Sequence, residues 1–349
     1  MLLKDNFKET HIRAIQKTSR RDPGLLERTI YAFGLLEALV RSGLPFIFKG
    51  GTCLMLLMDT PRRLSTDIDI IVKPGTDIYT YLEEASKIFP FQKVEEQKRE
   101  GKNQIVKQHF KFTYDSPIQR KPFYILLDVL YEENHYAQTV EKEIRTDFLL
   151  SEPEYLKVEI PSADCILADK LTAFAPHTTG IKLNDKKDME VMKQLYDVIT
   201  LIDAMTDCEH ILPTYQLIAQ AEIAYRGLNA VYQDCLWDTY ESAFCVASRG
   251  KINQEEYTLY VDGIRELRGH IYSETYTPEV AAVRAIKVMY LVMCLLSGSE
   301  YKKVTDPMSF AGKKVSNKNL SVLNYYRKIN LEAYAYLIQL DEILIEKKG

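Results

Sequence analysis

The segment Phe46-Ile47-Phe48-Lys49-Gly50-Gly51-Thr52, followed by Arg63-Leu64-Ser65-Thr66-Asp67-Ile68-Asp69-Ile70-Ile71-Val72, decides how the rest of the chain is read. It reads as a short apolar strand, a glycine turn, a helix start, a loop and a second strand. Side chains alternate along a strand, so Asp67 and Asp69 fall on one face while Ile68 and Ile70 point to the other, into a core. Two carboxylates so spaced on a rigid strand suit divalent cations. A hard cation such as Mg²⁺, with Mn²⁺ as the alternative, takes oxygen ligands and keeps positions open for phosphate oxygens. The Gly50-Gly51 pair lets backbone N–H groups come close to a triphosphate, and Thr52 falls at a helix N-terminus, where the dipole favours anions. One half of the stretch is suited to phosphates, the other to metal.

The whole chain sets the bounds. Its 349 residues allow two domains, on a prior of about 150 residues each. The formal net charge is −4. A protein that grips nucleic acid over its whole surface is usually basic, so any such contact here is a local patch. Six cysteines, at positions 53, 165, 208, 235, 245 and 294, are scattered without a CxxC pair and read as reduced core thiols of a cytoplasmic protein. The histidines are dispersed and no HExxH occurs. The N-terminus lacks the basic-then-apolar pattern of a signal peptide. The most apolar stretch, Val288 to Ser297, is too short to span a bilayer, so no membrane partner is expected.

Taken in order, Phe7 to Arg20 reads as an amphipathic helix. Asp22-Pro23 starts a second helix, with Asp as N-cap and Pro at the first helical position. Asp77 to Phe89 is a further helix. Gln104 to Tyr114 and Pro122 to Tyr131 read as strands, and Leu156 to Ile160 as a last one. Asp128 stands alone in an apolar run. An isolated buried charge is costly, so Asp128 should be paired or metal-bound. Helices then follow at Pro161–Phe174 and Met189–Met205. From Cys208 onward the chain reads as all-helical, with candidates at 211–225, 230–248, 254–271, 278–297 and 320–346. The segment before the last helix is basic, with Lys302, Lys303, Lys313, Lys314, Lys318, Arg327 and Lys328 interleaved with Phe310, Tyr325 and Tyr326. It fits either a grip on an RNA backbone or a solvated loop.

A glycine pair before a helix, then Asp-x-Asp on the next strand, resembles the DNA polymerase β–type nucleotidyltransferase superfamily. The fuller wording, Lys49-Gly-Gly-Thr52 with Arg63-x-Ser65-x-Asp67-Ile-Asp69, resembles the AbiEii/AbiGii toxin family. The motifs that carry this likeness all lie before residue 200. The resemblance implies an α+β fold: a nucleotidyltransferase-type mixed sheet flanked by helices over residues 1–160, then an all-helical domain over 161–349 that contributes nucleotide and acceptor contacts. It implies Asp128 as the third metal-binding carboxylate beside Asp67 and Asp69, nearest the attacking hydroxyl and suited to act as its base. Arg63 and Ser65 precede the carboxylate strand as nucleotide contacts, Arg63 alternatively as a salt bridge that orders the loop. Lys170 matches a helix lysine that contacts nucleotide phosphates. Asp197, within Lys193-Gln-Leu-Tyr-Asp197, matches the next helical motif, with Asp188 as the competing match.

What the resemblance adds is biology. It implies a two-metal enzyme that moves NMP from NTP onto RNA, notably the tRNA 3′ end, in a toxin–antitoxin or phage-defence system. A cognate antitoxin would restrain it. A small-molecule or protein acceptor is the second reading, and a nucleotide- or RNA-binding module without transfer is the third.

Overall fold

A five-stranded sheet with the order β1-β2-β5-β4-β3 carries the motifs quoted above. Its strands are β1 (Ile47–Lys49), β2 (Ile68–Val72), β3 (Phe91–Glu96), β4 (Lys107–Ser116) and β5 (Lys121–Tyr131). β2 runs parallel to β5, and the other neighbours pair antiparallel. The computed structural model describes residues 1–58, 60–97, 107–184 and 186–346. The fold is α+β, and the chain divides into two units. The first comprises Met1–Ser162 with Gly269–Glu274, and the second Ala163–Arg268 with Thr275–Gly349.

In the first unit, helices α1 (Glu9–Ser19), α2 (Pro23–Arg41), α3 (Gly50–Leu57) and α4 (Tyr79–Ser86) accompany the sheet, and β6 (Thr139–Glu143) pairs with β7 (Lys157–Pro161) as a separate ribbon. Helix α2 starts where the Asp-Pro signal placed it: Asp22 Oδ1 accepts the Leu25 N–H at 2.7 Å and Pro23 occupies the first turn. Its apolar stripe, including Leu26, Ile30 and Phe33, is fully buried. Glu27 on the same helix is also fully buried. It accepts three hydrogen bonds from the β4–β5 hairpin, from Tyr114 Oη and Ser116 Oγ at 2.9 Å and from Ile118 N–H at 3.0 Å. Bonds to a charged acceptor each contribute about 1.5–3 kcal/mol, so this carboxylate pins α2 to the hairpin.

Strand β4 covers most of the predicted Gln104–Tyr114 strand, whose first residues, Gln104 to Val106, lie outside the described residues. Strand β5 matches the apolar run around Asp128 to within a residue. β3 and β6 had no sequence signal, because their exposed residues outnumber the buried ones and leave no apolar alternation.

The second unit is helical: α5 (Ala163–Ala173), α6 (Asp188–Ala204), α7 (Ile211–Arg226), α8 (Tyr232–Ala247), α9 (Gln254–Leu267), α10 (Pro278–Ser297), α11 (Tyr326–Ile329) and α12 (Leu331–Glu346). Helix α10 has twenty residues and is long and apolar enough to cross a membrane, more than the shorter apolar run suggested. Ala281, Ala285, Val288 and Val292 are fully buried inside this unit, as expected of a core helix.

Two expectations change. The predicted helix 254–271 stops at Leu267, and residues 269–274 pair with the first unit instead. Ile271 bridges Arg63 antiparallel, Leu64 N–H donates to His270 O at 2.7 Å, and Tyr272 N–H donates to Arg62 O at 2.8 Å. The predicted helix 320–346 is broken. A 3₁₀ turn spans Lys318–Leu323, α11 follows, and Asn330 leaves helical geometry at φ −157°. Its Oδ1 then accepts the Ala333 N–H at 2.8 Å, so it caps α12 and ends what precedes it.

Candidate functional site

The sheet register lines up four side chains. Lys49 on β1 pairs with Asp69 on β2, Asp69 with Asp128 on β5, and Asp128 with His109 on β4. Partners directly opposite one another share a face, so the row reads cation, carboxylate, carboxylate, imidazole. A cavity of about 110 Å³ opens along it, lined by Lys49, Asp69, Lys107, His109, Asp128 and Leu130. Lys49 Nζ also lies 5.8 Å from the Tyr136 ring centroid.

The glycine turn is shaped by this row. Gly50 has φ +80°, a conformation that L side chains rarely adopt. A Cβ there would run into the Asp69 carboxylate, with Asp69 Cγ at 2.7 Å. A Cβ on Gly51 would stand 2.7 Å from both Arg63 Nη2 and Ser65 Oγ. Gly50 is held to glycine by its φ and by Asp69, and Gly51 packs against the side-chain ends of Arg63 and Ser65, so the backbone of the turn lies directly over side chains singled out from the sequence. Thr52 is fully buried and its hydroxyl donates to Asp67 O at 2.6 Å, so it locks the start of α3 to the approach of β2. Arg63 is 5 % exposed, and its Nη1 donates to Leu64 O at 3.3 Å.

Asp67 departs from the expected pattern. It precedes β2 instead of lying on it, and it is exposed. Asp69 and Asp128 are neighbours across β2 and β5. Among the described residues, no three His, Cys, Asp or Glu side chains converge as a ready-made metal cage. The donor set still fits a hard divalent cation: two adjacent carboxylates, a third in the residue just ahead of β2, and a glycine turn with no Cβ in the way. Asp128 is paired, although its side chain is 37 % exposed and not buried as the apolar run implied. His109 Nδ1 lies 2.6 Å from Asp128 Oδ1. His109 appeared in the sequence only as one residue of an alternating strand, since its alignment with Asp128 is a matter of hairpin register.

In the second unit, Lys170 on α5 and Asp197 on α6 form an ion pair, Nζ to Oδ2 3.0 Å, with side-chain exposures of 9 % and 0 %. Lys170 Nζ also donates to Gln194 Oε1 at 3.2 Å. Asp188 sits at the first turn of α6. Of the two competing aspartates, Asp197 is the one that meets the lysine.

A second polar cluster escaped the sequence reading. His177 Nδ1 meets Asp238 Oδ1 at 2.6 Å, and its Nε2 lies 3.5 Å from Glu256 Oε2. These two carboxylates raise the His177 pKa to about 10. Burial tends to raise the Glu256 pKa, but hydrogen bonds from His177 and Tyr260 outweigh it and hold the carboxyl below its usual range. The adjoining cavity, about 530 Å³, is larger than the one on the sheet. Its histidine is already engaged by both Asp238 and Glu256, so cavity size alone does not identify a reactive site.

A family model described as "Nucleotidyl transferase AbiEii toxin, Type IV TA system" matches residues 34–269. No curated protein matches the chain. Among solved structures, JHP933 from Helicobacter pylori superposes with a TM-score of 0.44 at 14 % identity, covering 76 % of this chain and 94 % of that one. An antigenic nucleotidyltransferase-like protein from Paracoccidioides brasiliensis gives 0.38 at 15 % identity, covering 60 % and 93 %.

Proposed function

The chain belongs to the AbiEii family of nucleotidyltransferase toxins, and we propose that it transfers NMP from an NTP to an RNA acceptor, the tRNA 3′ end. A type IV toxin family brings with it a nucleotide substrate and a cognate antitoxin. The proposed setting is a toxin–antitoxin or phage-defence system in the cytoplasm, where charged and uncharged tRNA are at hand.

The observation that carries this reading is the row Lys49–Asp69–Asp128–His109 beneath the Gly50-Gly51 turn. The glycine backbone approaches the triphosphate, and Lys49 and Arg63 add positive charge beside it. Asp67, Asp69 and Asp128 are the residues that would hold Mg²⁺ or Mn²⁺. Divalent cations bound there would neutralise the triphosphate and lower the pKa of the attacking hydroxyl. His109 engages Asp128 through Oδ1 and leaves Oδ2 for the incoming group. The acceptor oxygen bonds to the α-phosphorus, its proton passes to Asp128, and the bond to the β-phosphate oxygen breaks to release pyrophosphate. Ser65, whose Oγ lies against Gly51, is assigned a nucleotide contact beside Arg63. Lys170 is assigned a phosphate contact, with Asp197 holding its charge and direction.

The test incubates purified protein with Mg²⁺, each α-labelled NTP in turn and total bacterial tRNA. Label should be retained on tRNA by the wild type and lost with Asp67→Ala and Asp69→Ala. Equal labelling by either variant would sink the assignment. Metal-dependent NTP binding without RNA labelling would move the acceptor to a small molecule or a protein.

A further inference from the structure

We propose that the segment from Pro307 to Leu331 is a built docking surface for the phosphate backbone of RNA; this rests on the reading that the acceptor is RNA. The segment holds Lys313, Lys314, Lys318, Arg327 and Lys328 and contains no aspartate or glutamate, in a chain whose net charge is −4. Five cations without an internal counter-charge repel one another, so the fold must hold them in place from beneath.

It does so through buried anchors. Leu320, Leu323 and Tyr326 are at most 1 % exposed. Asp341 on α12 is 2 % exposed, and its two oxygens accept the backbone N–H groups of Ser316 at 2.7 Å and Asn317 at 2.8 Å. Tyr334 Oη donates to Lys313 O at 2.8 Å. Tyr325 and Tyr326 both donate to Ala247 O, at 3.0 and 2.8 Å. The backbone is therefore fixed, and the cations stand on its outer side.

The structure separates the basic residues that are occupied from those that are available. Lys302 pairs with Glu300 at 3.6 Å. Lys303 Nζ donates to the carbonyls of Asp203 and Met205 at 3.0 and 2.6 Å. Lys313 pairs with Glu342 at 2.7 Å. Lys314, Lys318, Arg327 and Lys328 are exposed and have no acidic partner among the described residues. The charge continues beyond the segment, where Lys251 Nζ lies 4.6 Å from the Tyr325 ring centroid and the Arg249 guanidinium 5.7 Å.

Two features point to a polyphosphate backbone over an acidic protein. Ser316, Asn319, Ser321 and Asn324 are exposed among the cations; with Lys and Arg, these are the side chains that hydrogen-bond phosphate and sugar oxygens. Leu320, Leu323 and Tyr326 face inward, whereas protein interfaces have an apolar core and few lysines. Met308 and Ile329, 67 % and 54 % exposed, lie near the two ends and form no such core.

The experiment measures binding of fluorescent tRNA to the full chain against salt concentration, with K314Q/K318Q/R327Q/K328Q beside the wild type. A variant with the same charge loss elsewhere, K4Q/K8Q/K73Q/K87Q, is the control. Four lost phosphate contacts should flatten the slope of log K against log salt by about 3. KM for tRNA should rise while kcat at saturating tRNA and the melting temperature stay unchanged. An unchanged slope, or an equal loss in the control, overturns the proposal, as does a wild type whose tRNA binding is insensitive to salt. An acidic protein competing for these lysines while tRNA binding stays intact also overturns it. Asp69→Ala should bind tRNA with the full slope, which separates this surface from the chemistry. Salt-dependent binding with no transfer at all would remove the enzymatic reading and leave the surface standing.

Discussion

Each unit contains a histidine–aspartate contact of the same length. On the sheet, His109 meets Asp128 at 2.6 Å; among the helices, His177 meets Asp238 at 2.6 Å. The carboxylates differ in everything else. Asp238 has a side chain 4 % exposed and collects four donors: the His177 ring, the His177 N–H at 2.9 Å, Thr178 Oγ1 at 2.7 Å and Ser242 Oγ at 3.4 Å. A carboxylate offers about four acceptor positions, so Asp238 is filled. The Asp128 side chain is 37 % exposed, and His109 is its one hydrogen-bond partner among the described residues. A filled carboxylate holds chain segments together, whereas an open one can still take a ligand. The contact distance alone does not tell them apart; the remaining acceptor positions do.

If that contrast holds, substitution should separate activity from stability. Asp128→Asn keeps the shape and removes the charge. Nucleotide transfer should fall about 10³-fold, on the order of 4 kcal/mol of transition-state stabilisation, with the melting temperature unchanged. An Asp128→Asn protein retaining a tenth of the activity would break the assignment. Asp238→Ala should do the reverse. Unfolding should become easier by about 3 kcal/mol through lost buried hydrogen bonds, seen as a lower denaturation midpoint, with transfer per folded molecule retained. If the midpoint does not move, Asp238 is not the clamp described here.

The smallest effect is in pH. The folded pKa of His177, about 10, lies above the ordinary histidine value of 6.5. Its contribution is therefore complete below pH 6.5 and is lost as pH rises through about 10. Solvent screening of a half-exposed ring reduces that contribution to about 1 kcal/mol. Glu256 acts in the opposite sense: its pKa is depressed, so its share is present above the ordinary carboxyl value and lost in acid. Denaturation midpoints of the wild type should decline from neutral to alkaline pH, and His177→Gln should flatten that decline. Parallel profiles would show that His177 does not titrate with folding.

The motifs that could be read from sequence are those whose parts lie close in the chain. Gly50-Gly51, Arg63-Leu-Ser65 and Asp67-Ile-Asp69 are each local, and strand alternation relates Asp69 to its neighbours. Asp128 was visible as a charge in an apolar run. His109 was not, because only the β4–β5 register places it opposite Asp128. The Lys170–Asp197 meeting depends on how α5 packs on α6, so the sequence left Asp188 and Asp197 as rivals. Strand alternation overextended β2 to include Asp67, since a period of two does not mark where a strand begins. Helical periodicity likewise ran through Asn330, whose role as a cap depends on the backbone leaving the helix there.

The short return of Gly269–Glu274 to the first unit has a consequence for the order of synthesis. Arg62, Arg63 and Leu64 take backbone partners from His270, Ile271 and Tyr272. On the ribosome, the stretch carrying Asp67, Asp69 and Asp128 emerges long before those partners exist. The arginine loop must wait until most of the helical unit has been translated. A nascent chain stopped after Ser162 would hold every carboxylate of the row but lack the segment that bridges Arg63, so the loop ahead of Asp67 gains its backbone partners only after residue 272 has been made.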